Sequence, residues 1–311
     1  MKAIVTGASG RLGRALLARL RGRAGVRALV RSEEAARALP KGVEVFYGDV
    51  REELPPKAFA GVQVVFHLAA VVSPDASEEE LREVNVEGTR RVLAACPKKL
   101  KRFVHVSSIS VYGKRPGGVV TESTPFSPSD GYGWSKLYSE MAVKNFARVP
   151  WTIIRPGVIY GKGFREGFFE VLSLLEKGRM PLIGPGDTFL PLVHARDVCD
   201  ALLLAAKSES AVGRAYNIVG EQRTQAEVLA RAAKELGVPF PRWRIPAWAA
   251  LGVVAALRAL GKKKLSAEYV EVLAADRRFD CTKARTELGW KPKVGLEEGI
   301  KEVIEWYKGV R

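Results

Sequence analysis

The sequence predicts an α/β fold: a doubly wound parallel sheet with helices on both faces, followed by a smaller, mostly helical C-terminal lobe. Three observations lead there. Short apolar runs alternate with helical patterns over the first 160 residues, the first run opens into a glycine-spaced turn, "TGASGRLG", and after residue 160 the alternation gives way to helices and turn-rich segments. Strands separated by helices pair in parallel, and parallel strands buried on both faces form continuous apolar runs. Right-handed crossovers then wind the helices onto both faces.

Each element has its own signal. "KAIVT" (2–6) is the first strand, and Leu12, Leu16, Leu17 and Leu20 mark the inward face of the next helix. "VRALV" (26–30) precedes the helical "SEEAARAL", and "VEVFY" (43–47) and "VQVVFHLA" (62–69) give the third and fourth strands. "EELREVNVEGTRRVLAAC" has helical spacing, "RFVHVSS" (102–108) is the fifth strand, 132–148 a helix and "WTIIRP" (151–156) the sixth strand. In the helix at 132–148, Leu137 and Met141 are expected to face the core and Tyr138 to stand out of phase. Next come a helix at 164–178 and a turn-rich segment at 180–187; "PLVHARDVCDALLLAAK" and "AYNIVG" return to the sheet. "TQAEVLARAAKELG", the apolar 245–260 and "LEEGIKEVIEWYKG" complete a helical lobe, with no internal repeat.

A chain of 311 residues with 47% hydrophobic content can bury a large core. Cys96, Cys199 and Cys281 are too widely spaced for a disulfide framework or a zinc pattern, so a reducing, cytoplasmic setting is expected and no metal. No signal peptide and no membrane span is expected. The nearest approach to a span, 245–260, is broken by Gly252 and Arg258; it is expected to pack on the lobe, with weak membrane-surface association as the alternative. The net charge of +16 favours anionic partners, but no basic tail or aromatic–basic motif points to nucleic acid.

The glycine turn has a chemical meaning. Gly7 allows the tight turn, Gly10 lets backbone approach a pyrophosphate and Gly13 lets helix close on strand, while the helix N-terminus offers free amides. This makes the first half Rossmann-type. Residues 1–160 with 188–219 are expected to bind a dinucleotide, and 161–187 with 220–311 to form a substrate lobe. The second strand ends in Val30-Arg31-Ser32, with no acid to take a ribose 2′-hydroxyl. Arg31, with Arg11 in the turn, suits a 2′-phosphate, so NADP(H) is expected over NAD(H). Asp49, in "YGDV", is placed for the adenine amino group; a helix cap is its structural alternative.

Tyr132 and Lys136, in "DGYGWSK", share one helix face. A phenol titrates too high to act as a base at neutral pH, and a neighbouring ammonium lowers that value. Ser107 and Ser108 end the fifth strand, on the edge where ligands bind. His67 and His105 are expected in the core.

Together these segments resemble the extended short-chain dehydrogenases/reductases, which include the NAD-dependent epimerase/dehydratases, over nearly the whole chain. "TGASGRLG" (with Ser9 and Leu12) resembles the family's cofactor turn, "GDV" (Asp49, Val50) its adenine contact and "HLAA" (Leu68, Ala69, Ala70) the segment beneath the cofactor. "NVEGTRRVL" matches its central helix through Asn85, "VSSISVYG" (Val106, Ser108, Tyr112) and "YGWSK" its active-site segments, and "IRPGVIYG" (Arg155, Pro156, Gly157, Val158) its nicotinamide wall. The resemblance implies that Tyr132 is the acid/base, Lys136 its electrostatic partner and Ser108 the group that binds the substrate oxygen. It implies cofactor contacts at Asn85, Val106, Arg155, Pro156 and Val158, and substrate contacts at Ser108, Tyr112, Gly157 and Phe189. It also implies a homodimer, through helices at 78–95 and 132–148.

Three departures narrow the branch. Ser108-Ile109-Ser110 lacks the acids of the sugar dehydratases, Arg31 replaces the second-strand acid, and "DTFLPLVHARDV" carries Phe189-Leu190-Pro191. These resemble the hydroxysteroid-dehydrogenase and dihydroflavonol-reductase branch, with small and often hydrophobic substrates. A nucleotide-sugar 4-epimerase that retains NAD stays open, with Arg223 and Arg278 as diphosphate candidates. So does a non-catalytic cofactor-binding regulator.

Overall fold

The computed structural model describes residues 2–310 apart from 23–24, 74, 115–116 and 262–266, with Glu268 described for its backbone only. Its centre is a parallel sheet of seven strands. Five are β1 (Ala3–Thr6), β2 (Val26–Val30), β3 (Glu44–Tyr47), β4 (Val64–His67) and β5 (Arg102–Val106). Trp151–Pro156 and Arg214–Ile218 complete it. Across the sheet the order is Arg214–Ile218, Trp151–Pro156, β5, β4, β1, β2, β3. The chain therefore starts in the middle, builds outward to β3, and crosses back to β4. That reversal opens a crevice at the carboxyl ends of β1 and β4.

The continuous burial of β1, β2, β4 and β5 accounts for their unbroken apolar runs. One face packs on α1 (Arg11–Leu20) and on the helix Ala195–Lys207, through Leu16, Leu17, Val198 and Leu202. Each such buried leucine contributes about 1.5–3 kcal/mol relative to an exposed one. The other face packs on Val50, Phe59, Val92 and Val143. A second cluster, with Phe169, Leu172, Leu229, Ile300 and Val303, forms the helical lobe. A third and smaller one, Ile183, Ala250, Val254 and Val270, holds the helices Ala247–Ala259 and Ala267–Ala274.

Two helices differ from the sequence expectation. The run 78–95 is not one regular helix: α-helical Glu78–Leu81 and Gly88–Ala95 flank a π-helical Arg82–Glu87. The helix Gly131–Phe146 faces the sheet with polar residues: Ser135, Lys136, Ser139 and Glu140 are buried beside Leu137 and Val143. Leu137 is buried as expected, but Met141 is 46% exposed, a correction with a clear cause. The inward face is occupied by the buried polar side chains of Ser135, Lys136, Ser139 and Glu140, which turns Trp134, Tyr138 and Met141 outward.

Candidate active site

The crevice between β1 and β4 holds a cavity of about 220 Å³. Gly7, Ser9 and Gly10 line one wall, Arg31, Asp49 and Val50 the second, and Leu68, Ala69 and Ala70 the third. The turn can be built only from glycine. Gly7 has φ +66°, and a Cβ on Gly13 would lie 2.3 Å from the Gly7 carbonyl oxygen. Gly10 precedes α1 without a side-chain cap, and no acid stands in its first turn. The Gly10 N–H is bonded to the Gly7 carbonyl at 3.0 Å, so the amides of the turn after it and the positive end of the helix are what face the region beside the cavity. A groove lined by bare backbone, with a helix N-terminus for a pyrophosphate, fits a dinucleotide.

The charged wall differs in detail from the expected pair. Arg11 leaves the cavity, pairs with Glu166 and lies over the Phe164 ring at 5.9 Å. Arg51 takes its place among the lining residues, beside the exposed Arg31. Its guanidinium is tied to Asp49, with Nη2 2.7 Å from Oδ2, and Nε and the backbone N–H also donate. The side-chain bond to Arg51 holds the Asp49 carboxyl below its ordinary range despite partial burial, and Arg31 adds to this. Arg51 was not anticipated; its sign was a third cation just after "GD", two residues past Asp49.

The expected acid/base group joins a helix to a strand. Asp130 caps Gly131–Phe146 by accepting from the Gly133 N–H at 2.8 Å, which fixes where Tyr132 and Lys136 begin their shared face. Lys136 is 3% exposed, and its Nζ donates to the Val106 carbonyl at the end of β5 at 2.6 Å. Burial pushes its pKa down to about 8, against the opposing pull of Glu140. Two residues beyond Val106, Ser108 caps the 3-10 turn Ile109–Tyr112: its Oγ accepts from the Ser110 N–H at 3.1 Å and donates to Ser110 Oγ at 3.0 Å. Ser107 is more deeply buried, at 2% against 9% for Ser108. His67 and His105 stack at 5.4 Å under Lys136, and burial first and that charge second push His67 down to about 3 and His105 well below its ordinary value. Both are neutral core groups.

Four of the residues expected to touch a ligand make structural contacts. Arg155 was expected at the cofactor; its guanidinium is buried against Glu140, with Nε–Oε1 2.8 Å and Nη2–Oε2 2.6 Å, and donates to Tyr112 Oη at 2.6 Å. The Asn85 amide is spent on backbone: it accepts from the Val71 N–H at 2.8 Å and donates to the Val71 carbonyl at 3.0 Å and to Ser135 Oγ at 2.8 Å. It thereby fastens the segment after Ala70 to the helix Gly131–Phe146. A Cβ on Gly157 would meet the Pro191 carbonyl oxygen at 2.2 Å, so that glycine permits close packing. The Phe189 ring lies under the Arg278 guanidinium at 4.3 Å. Of the remaining positions, Leu12 packs partly buried against the sheet core, Pro156 ends a sheet strand and Val158 starts the strand Val158–Tyr160.

A second cavity, of about 330 Å³, lies beside the segment that follows Ser108. Tyr112, Ala247, Leu251, Val270 and Ala274 give it an apolar side, and Ser127, Ser129, Glu271 and Lys114, whose Nζ is bound to Glu271 at 2.5 Å, give it a polar one. The Tyr112 hydroxyl is occupied by Arg155 and by Asn217 Oδ1 at 3.0 Å, and burial pushes its pKa up to about 12. Tyr112 thus presents a neutral ring to this cavity. No group of His, Cys, Asp and Glu among the described residues could hold a metal ion.

Comparison with known proteins agrees with this geometry. Residues 3–219 match the model of the NAD dependent epimerase/dehydratase family. The chain is 31% identical to sterol demethylase protein B of Methylococcus capsulatus, over 99% of this chain and 98% of that one. It is 32% identical to the 4-hydroxy-2-methyl-3-oxo-4-farnesyl-3,4-dihydroquinoline-1-oxide ketoreductase of Stigmatella aurantiaca, over 96% and 95%. Among solved structures, MoeE5 in complex with UDP-glucuronic acid and NAD superposes over all of both chains with a TM-score of 0.79 at 26% identity.

Proposed function

We propose, from the premise that the chain belongs to the NAD-dependent epimerase/dehydratase family, that this enzyme exchanges a hydride between a nicotinamide dinucleotide and a secondary alcohol or ketone on an apolar, isoprenoid-like molecule. The observation that carries the chemistry is the Lys136–Val106 hydrogen bond. It locks the helix bearing Tyr132 to the strand end bearing Ser108, which holds acid/base and substrate-orienting groups in one arrangement. The two relatives supply the substrate class, since their names specify a sterol and a farnesyl-bearing ketone, and the apolar side of the second cavity, with Ala247, Leu251 and Val270, offers such a molecule a surface.

When bound, the dinucleotide supplies or accepts the hydride. Everything else belongs to the chain. Ser108 Oγ is the donor for the substrate oxygen, once it exchanges its bond to Ser110. Tyr132 takes the carbinol proton in oxidation and returns it in reduction. The Lys136 ammonium, buried one helical turn away, favours the phenolate that oxidation requires. Asn85 holds the floor of the cofactor groove, and neutral His67 and His105 leave the Lys136 charge undiluted beneath it.

The cofactor is read as NADP(H), supported by the exposed Arg31 on the cavity wall and by the absence of an acid at the end of β2. The subunit is read as half of a homodimer. Tyr138 and Phe146, 48% and 54% exposed, and Met141 line an open groove with Val86 and Arg90.

The second reading, a nucleotide-sugar 4-epimerase that retains NAD, is favoured by the MoeE5 superposition. The arginines expected to hold a diphosphate speak against it: Arg223 is paired with Glu221, and Arg278 with Asp276 and the Phe189 ring. The test is Tyr132→Phe. Turnover of an apolar ketone with NADPH should fall at least about 100-fold while dinucleotide binding stays within about twofold. Undiminished turnover would remove the mechanism. Stoichiometric NAD released from denatured wild-type protein would select the epimerase.

A further inference from the structure

The helix Ala247–Ala259 is apolar at every position but Arg258 and yet lies on the surface. Its inner face, Ala250 and Val254, packs on Ile183 and Val270, and Leu251 lines the second cavity. Its outer face carries Trp248, Gly252, Val253, Ala255, Ala256 and Ala259, and Leu260 follows. At 100° per residue these positions cover an arc of about 160°. No charged residue interrupts it. Trp248 is 77% exposed, Leu260 74% and Val253 55%, and just upstream Trp243 and Phe240 are exposed as well. An ordinary surface helix carries polar residues at such positions, so this face lacks its partner.

Charge identifies that partner. From Gly237 to Ala267 the sequence holds Arg242, Arg244, Arg258 and three lysines at 262–264, and no Asp or Glu. Arg242 and Arg244 are exposed, and neither has an ion-pair partner among the described residues. Arg258 instead reaches Asp75, with Nη2–Oδ1 2.6 Å. A second copy of the chain is a poor occupant: in a two-fold contact it would set these cations against themselves. Apolar bulk flanked by tryptophans and unpaired cations is complementary to one environment, the headgroup boundary of an anionic bilayer.

We propose that Trp248, Val253 and Leu260, with Phe240, Trp243, Arg242 and Arg244, form a surface that docks the enzyme on anionic membranes. No helix among the described residues is long and apolar enough to cross a membrane, so the attachment is peripheral and reversible. The same helix turns Leu251 and Ala247 into the second cavity, so docking sets the apolar side of that cavity against the lipid surface. A substrate insoluble in water then enters from the phase in which it is dissolved. That last consequence rests on the proposed activity; the docking surface does not.

The experiment is sedimentation of the purified chain with vesicles of phosphatidylcholine alone, or with about one-third phosphatidylglycerol. The anionic vesicles should bind at least about tenfold more protein, with a blue shift of tryptophan emission and loss of binding as salt rises. Trp248→Glu with Leu260→Glu should cut this binding at least about tenfold, as should Arg242→Glu with Arg244→Glu, whose side chains are exposed and whose fold unchanged NADPH binding would verify. Equal or absent binding to both vesicle types, undiminished binding by both double variants, or a wild-type dimer that Trp248→Glu dissolves would overturn the proposal. Vesicle binding without ketone reduction would uphold the surface and sink the activity, and reduction without vesicle binding would do the reverse.

Discussion

Replacing Arg155 by methionine tests the reassignment of that residue from cofactor contact to keystone of the core. The Glu140 carboxylate is fully buried, and two Arg155 hydrogen bonds of 2.8 and 2.6 Å pair it. Burial works against the Arg155 charge, and the bonds and charge of Glu140 more than offset it, which raises its pKa. Lys144, one turn along the helix at 3.8 Å, is too distant and too exposed to take over. Arg155→Met therefore strands a buried carboxylate and releases the Tyr112 hydroxyl, at a cost of about 3–5 kcal/mol. At about 2 °C per kcal/mol for a chain of this size, Tm in calorimetry should fall by roughly 6–10 °C. Glu140→Leu added to Arg155→Met should restore most of the loss, because an apolar pair replaces the ionic one. NADPH affinity, by fluorescence titration, should stay within about twofold in both variants. A Tm within about 2 °C of wild type, or lost NADPH affinity at unchanged Tm, would refute this reasoning.

Arg31→Ala should weaken NADPH binding about tenfold or more and leave NADH nearly unchanged, since a charge-assisted hydrogen bond contributes about 1.5–3 kcal/mol; equal losses for both would reject the 2′-phosphate role. Lys136 gives two pH effects. Its folded pKa of about 8 lies below the unfolded value of 10.5, so the unfolded chain holds more protons on this group between them and the Lys136 contribution to stability should rise from pH 8 toward 10.5. It is read as the difference between wild type and Lys136→Met, because the buried thiols of Cys96, Cys199 and Cys281, pushed up to about 12, act in the opposite sense above pH 9. Over the same window kcat/KM for alcohol oxidation should fall as the ammonium is lost, and the neutral buried histidines should add no limb near pH 6.5; a difference between wild type and Lys136→Met that falls in this window would contradict the burial of Lys136. Met141→Arg should shift sedimentation velocity from dimer to monomer; a monomeric wild type would remove the helix-face dimer.

Residues buried in a uniform way were legible in the sequence. Val64, Val65 and Phe66 are apolar because both faces of the sheet are covered, and Gly7 and Gly13 stand where a Cβ would strike backbone. Positions at which polarity and burial part company were not. On the catalytic helix, Lys136 and Glu140 point inward and Met141 outward, so hydrophobic spacing alone assigns Met141 to the wrong side. Arg155 stands in a segment that resembles a nicotinamide wall, but its direction depends on Glu140, 15 residues back on another element. Arg51 displaced Arg11 at the cavity because loop conformation, not spacing, decides which cation reaches it.

The π-helical stretch at Arg82–Glu87 carries a consequence for how this chain can vary. A wide turn of this kind holds an extra residue within an otherwise α-helical run. Deleting one residue there would restore regular winding and leave the flanking α-helical turns near their present phase, but it would remove the wide turn that sets Asn85. Asn85 could then no longer meet Val71 while Thr89 still met His67. Descendants of this sequence can exchange side chains along 78–95, but they cannot shorten it by one residue without unhooking the groove floor from the catalytic helix.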